Sequence, residues 1–155
     1  MESIWASAVA VAGTLLGVLV THISQRLASR RNERFARSEA LRQERISAYI
    51  AFATAMEDYR HGQSTRWYRK QQDPDGEAFT AAHDDAHRLR TLARNALYRV
   101  KLLTDDRAVI AGAEHAYRCT RDISNARDTA ERDTLDAGAR QAIEAFVAGA
   151  APLVR

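Results

Sequence analysis

Apolar positions along this chain follow two patterns. From Ser3 to Ile23 they are nearly continuous, with no formal charge over 21 residues when His22 is counted neutral. From residue 46 onward they recur every three to four positions, the period of a helix with one buried stripe. Between the two lies a polar stretch, 26–45, in which Leu27, Phe35 and Leu41 are sparse apolar points.

The second pattern predicts four helices. Ile46, Tyr49, Ile50, Ala53, Met56 and Tyr59 form the stripe of the first, with Trp67 and Tyr68 near its end. Gln71 to Gly76, which contains Pro74, predicts a turn. A second helix is expected from about Glu77 to Leu103, with Phe79, Ala82, Ala86, Leu89, Ala93, Ala96, Leu97, Val100 and Leu103 on one face. Asp75 is its expected N-cap, and Glu77 suits the positive end of its dipole. Thr104-Asp105-Asp106 reads as the cap of a third helix carrying Val109, Ile110, Ala113, Ala116, Tyr117, Thr120 and Ile123. After a break at Ser124 to Arg127, a fourth helix is expected from about Arg132 to Ala148, with Leu135, Ala139, Ala142, Ile143, Phe146 and Val147. Short turns between such helices imply an antiparallel three- to four-helix bundle. Its apolar faces are rich in Ala.

The first pattern predicts a membrane-spanning helix. At ~1.5 Å per residue the uncharged stretch measures ~30 Å, the thickness of a bilayer's hydrocarbon core. Trp5 stands where an indole suits the membrane–water boundary. Arg26, Arg30, Arg31, Arg34 and Arg37 follow the stretch, whereas only Glu2 precedes it. The positive-inside rule then places the N-terminus outside and the rest in the cytoplasm, with membrane lipid as a partner. A cleaved signal peptide would start basic and carry a shorter apolar stretch. Gly13 and Gly17 form a G-x-x-x-G pair, which suggests a homodimer through that face. No Pro occurs between Met1 and Gln72, and no Gly between Gly17 and Gly62, so the helix can run on through 26–45 as a stalk. The expected organisation is thus an anchor over 1–25, a basic stalk over 26–45 and a helical bundle over 46–155.

Composition changes this picture little. The net charge is +3, but residues 26–45 hold seven Arg against three Glu, and residues 46–155 hold sixteen basic and sixteen acidic side chains. The basic excess is therefore confined to the stalk, and a nucleic-acid partner is not expected, since such a domain concentrates basic charge on its folded body. The single cysteine, Cys119, excludes an internal disulfide and any Cys-rich zinc site. Arg is abundant and Lys occurs twice, a bias that gives individual Arg residues little weight as functional signals.

One motif suggests chemistry. His83-Asp84-Asp85-Ala86-His87 puts two imidazoles at i,i+4, resembling the H-E-x-x-H pattern of zinc proteases with Asp in place of Glu. A third ligand would have to come from His61 or His115. Arg90 and Arg94 continue the same line of the helix, and a basic row repels a cation. No Gly-rich phosphate loop, Ser-centred nucleophile turn or Cys/His dyad is visible. No catalytic residue and no cofactor is assigned, and an enzyme is not expected.

An apolar span, an arginine-rich stalk from Arg26 to Arg45, Ile46-Ser47-Ala48-Tyr49 and an Ala-rich bundle together resemble uncharacterised small single-pass membrane proteins of actinobacteria. The resemblance covers about the first 60 residues and implies a bacterial inner-membrane location but no activity. The functional expectation is a membrane-tethered interaction module with a protein partner. The alternatives are a metal-dependent enzyme using His83 and His87, and a membrane-permeabilising protein of toxin or holin type.

Overall fold

The computed structural model describes the backbone from residue 2 and the side chains of residues 35–155. Four α-helices follow one another: α1 (Glu2–Gln72), α2 (Glu77–Leu103), α3 (Arg107–Asp122) and α4 (Thr129–Ala150). A 3₁₀ turn, Ile123–Asn125, lies between α3 and α4, and another, Ala151–Val154, ends the chain. The chain divides into two units, Met1–Leu41 and Arg42–Arg155. Within the first, the Ser38 hydroxyl donates to the Phe35 carbonyl at 2.8 Å. The second holds the bundle.

The helix ends follow from local chemistry. Pro74 lacks an N–H and disfavours helical geometry at the residue before it, so α1 stops at Gln72. The N-cap of α2 is Gly76, not the expected Asp75. Gly76 has extended backbone, and its carbonyl accepts the N–H groups of Phe79 and Thr80 at 3.1 Å. Asp75 instead gives its N–H to Asp73 Oδ1 at 3.3 Å within the turn. Asp106 caps α3 as the sequence predicts, accepting from the N–H groups of Ala108 at 2.8 Å and Val109 at 3.0 Å. Asp128 caps α4 by accepting from Glu131 N–H at 2.8 Å. That helix therefore begins at Thr129, earlier than expected.

Cross-helix contacts fix an up-down-up-down order. Arg45 Nε on α1 donates to the Leu103 carbonyl at the end of α2 at 2.7 Å, supplying a partner for a C-terminal carbonyl. Gly62 of α1 lies against Leu89 and Ala86 of α2. These two contacts make α1 and α2 antiparallel. Gln63 bonds the Arg121 carbonyl, and Trp67 Nε1 donates to the Ala126 carbonyl at 2.8 Å, so α3 runs parallel to α1. Phe52 meets Phe146, and Arg60 meets Asp136, which makes α4 antiparallel to α1.

The core holds Tyr49, Phe52, Met56 and Tyr59 of α1; Leu89, Leu97 and Val100 of α2; Val109, Ala113 and Ala116 of α3; and Ala142, Ile143 and Phe146 of α4. Phe146 is central: its ring is edge-on to Phe52 at 4.7 Å and to Tyr49 at 5.9 Å. A Cβ on Gly112 would sit 3.8 Å from Phe146 Cα, so small residues bring α3 and α4 backbones together. α1 is rotated relative to the expected stripe. Phe52 is fully buried and Ile50 is 62% exposed. On α4, Val147 likewise faces outward at 48% exposure.

The expected membrane topology is corrected. Among the described residues no helix is long and apolar enough to cross a membrane. Each of α2, α3 and α4 buries one stripe and carries Arg, Asp, Glu or His on its other faces, groups that are costly in hydrocarbon. The stretch from Ser3 to Ile23 that suggested a span, with Trp5, Gly13, Gly17, Arg26, Arg30, Arg31 and Arg34, lies outside the described side chains. The single-pass fold, the inner-membrane location, the lipid partner, the Gly13/Gly17 homodimer and the likeness to single-pass membrane proteins of actinobacteria all rested on that span. They are withdrawn with it, as are the membrane-tethered and membrane-permeabilising readings. The all-helical bundle itself stands, with four helices.

Candidate anion-binding site

The histidine motif gathers no third metal ligand among the described residues. His83 and His87 do lie side by side on α2, with ring centroids 4.6 Å apart. Among the described residues, however, no group of three or more His, Cys, Asp or Glu side chains could hold a metal ion. His115 instead approaches Cys119 Sγ at 3.6 Å along α3, an i,i+4 contact that the sequence reading passed over. His61 borders a separate hollow between α1 and α2 with Asp58, Asp85 and Arg88. His87 opens toward three arginines, whose charge disfavours a cation there. The metal-dependent enzyme reading is therefore also withdrawn.

Those arginines define the polar cleft of the bundle. It has a volume of about 210 Å³ and is bounded by Tyr59, Gln63 and Arg66 of α1, Ala86, His87 and Arg90 of α2, Arg121 at the end of α3, and Ser124 and Asn125 of the 3₁₀ turn. Three helices each contribute one guanidinium, and no carboxylate lines the space.

The walls are held by specific bonds. Gln63 is 3% exposed, and its Nε2 donates to the Arg121 carbonyl at 2.9 Å and to Ser124 Oγ at 3.1 Å. It thus ties α1 to the end of α3 and satisfies a carbonyl that the helix leaves unpaired. Arg90 Nε donates to the Tyr117 hydroxyl at 3.4 Å. Arg121 Nε is engaged by Asp122 at 2.9 Å. Arg66 is half-buried and has no ion pair among the described residues.

Tyr59 forms the floor. Burial pushes its phenol up to about 12, and nearby Tyr117 acts in the same direction, against the opposing pull of Arg90, Arg121 and Arg66. The hydroxyl therefore stays protonated at neutral pH and is available as a donor. The tyrosine rings pack at 5.9 Å, which fixes the phenol between α1 and α3. Fixed cations and neutral donors around a space free of carboxylates can bind an anion, and the guanidinium groups themselves cannot take up a proton because they remain charged.

None of this cleft except His87 was a sequence candidate. Arg66, Arg90 and Arg121 stand far apart in the chain, and the abundance of Arg hides them individually. The available signal was Gln63, a polar residue on the continuing apolar face of α1 between Tyr59 and Trp67.

A second hollow, of about 350 Å³, runs between α1 and the end of the chain. Ile46, Tyr49, Ile50, Ala53, Val147 and Val154 line it, and it is mainly apolar. It holds no charged side chain.

A family model described as KilB plasmid transfer protein matches residues 46–154 of this chain, the stretch that contains every residue of the cleft. No curated protein and no solved structure matches the chain.

Proposed function

Because this chain belongs to the KilB plasmid transfer protein family, we propose that it serves plasmid transfer as a non-catalytic binding protein whose arginine-lined cleft holds an anionic group. The observation that carries this reading is the family match, which covers α2, α3, α4 and residues 46–72 of α1. The cleft supports a binding role in particular. Its guanidinium groups remain charged, its tyrosine remains protonated, and its amide is committed to holding α3 in place. Such groups position and neutralise an anion rather than act as a general base; His87 is the lining side chain whose chemistry would allow that work.

The test is a mating assay. A plasmid lacking this gene is complemented with the wild-type chain or with the Arg66→Gln/Arg90→Gln variant, and transfer frequency is counted per donor. Deletion should lower transfer at least tenfold, wild type should restore it, and the variant should restore it only in part. Unchanged transfer on deletion would overturn the role, and full rescue by the variant would remove the cleft from it.

A further inference from the structure

We infer that the cleft is a site for a single phosphate group, the dianion of a small phosphomonoester or of free phosphate, held by Arg66, Arg90 and Arg121 with Tyr59 as a neutral donor. The inference rests on the proposed binding role of the cleft and adds the chemistry of its ligand.

Charge and donor number select phosphate. Arg66, Arg90 and Arg121 come from three helices and line one space without a lining carboxylate; Asp122 pairs with Arg121 from outside it, while Arg66 and Arg90 have no ion pair among the described residues. A dianion offsets that charge better than a monoanion does. Guanidinium forks match the edges of a phosphate, and three of them with a phenol offer more donors than a carboxylate has lone pairs to accept.

Size and surroundings select a single group. At about 210 Å³ the cleft is smaller than the ~300–1,000 Å³ typical of pockets for drug-sized ligands. It suits the charged end of a small molecule. An extended nucleic-acid backbone needs a basic track of several phosphates' length, yet residues 46–155 carry balanced charge.

The site is also built in advance. Gln63, buried at 3% exposure, fixes the Arg121 backbone and Ser124, and Tyr117 holds Arg90. A floor fixed before binding reduces the ordering that a ligand must impose.

The experiment is calorimetric titration of the full-length chain at pH 7.5 with inorganic phosphate, glycerol 3-phosphate and acetate at matched ionic strength. A 5′-phosphorylated dinucleotide and its 5′-hydroxyl counterpart form a further pair. Phosphate and glycerol 3-phosphate should bind with millimolar or tighter affinity and acetate should not. Arg66→Gln should weaken phosphate at least tenfold, while Arg140→Gln, a remote arginine on α4, should leave it unchanged. Arg121→Gln serves as a second cleft variant should Arg66→Gln lose its helical circular dichroism. Preference for glycerol 3-phosphate over the dinucleotide supports a small-molecule source, and preference for the 5′-phosphorylated dinucleotide overturns that source. Absence of phosphate binding, equal binding of acetate, or equal weakening in Arg140→Gln overturns the phosphate site. Phosphate binding together with full transfer by cleft variants supports the ligand assignment and overturns the cleft's part in transfer, so the two readings fail separately.

Discussion

Substituting Phe52→Ala and, separately, Ile50→Ala distinguishes the observed packing of α1 from the one its sequence suggests. Phe52 is fully buried, with its ring edge-on to Phe146 at 4.7 Å. Truncation removes a buried aromatic surface of roughly 150–250 Å². At ~25 cal/mol per Å², that corresponds to roughly 4–6 kcal/mol as an upper bound. Measured truncations of buried Phe cost about 3–5 kcal/mol, with the cavity included. Ile50 is 62% exposed at the rim of the apolar hollow, so Ile50→Ala should cost less than about 1 kcal/mol. The assay is urea unfolding of the full-length chain followed by helical circular dichroism, with the m-value monitored. Phe52→Ala should lower the midpoint strongly at unchanged m, and Ile50→Ala only slightly. An Ile50→Ala loss equal to or larger than that of Phe52→Ala would refute the rotation of α1 described above.

Three further outcomes follow from the same structure. Asp136 accepts both contacts of Arg60 Nη1 at 2.7 Å and a bond from Ser64 at 3.2 Å, and the ion pair is mostly buried. Asp136→Ala should therefore lower unfolding free energy by about 2 kcal/mol, because Arg60 stays sequestered with only Glu57 as counter-ion. A Cβ at Gly138 would meet nothing within 4 Å in the middle of α4, so Gly138→Ala should raise stability by about 0.5–1 kcal/mol, measured as an upward shift in thermal midpoint. Hydrogen bonding and charge from Lys101 hold the Glu114 carboxyl below its ordinary value, and the Arg127 side chain and backbone N–H do the same for Glu131. Depressed carboxyls contribute stability that is complete above the unfolded value of ~4.3 and is lost as pH falls through the lower folded value. The thermal midpoint of wild type should therefore drop more steeply below about pH 4.3 than that of Glu114→Gln/Glu131→Gln; parallel curves would remove this contribution.

The sequence by itself determined the local parts of the bundle. Asp106 caps α3 and Pro74 ends α1 through contacts within a few residues, which any sequence reading can reach. The stripes of α2 and α3 were legible for the same reason: Ala82, Ala86, Leu89, Ala93, Leu97 and Val100 repeat along a single line, with no competing line beside it. The membrane span was read from residues whose side chains the structure does not describe, and no described helix supports it.

Tertiary structure decided the rest. In α1 two apolar lines overlap, one through Ile46, Ile50 and Ala53 and one through Tyr49, Phe52, Met56 and Tyr59. Helical period allows either; Phe146 of α4 selects the second by offering Phe52 and Tyr49 an edge-on aromatic partner. The cleft is further still from local pattern. Arg66, Arg90 and Arg121 meet only because α2 returns antiparallel to α1 and α3 runs parallel to it. A helix fixes neighbours three and four positions away, whereas convergence of three helices depends on how their buried faces fit.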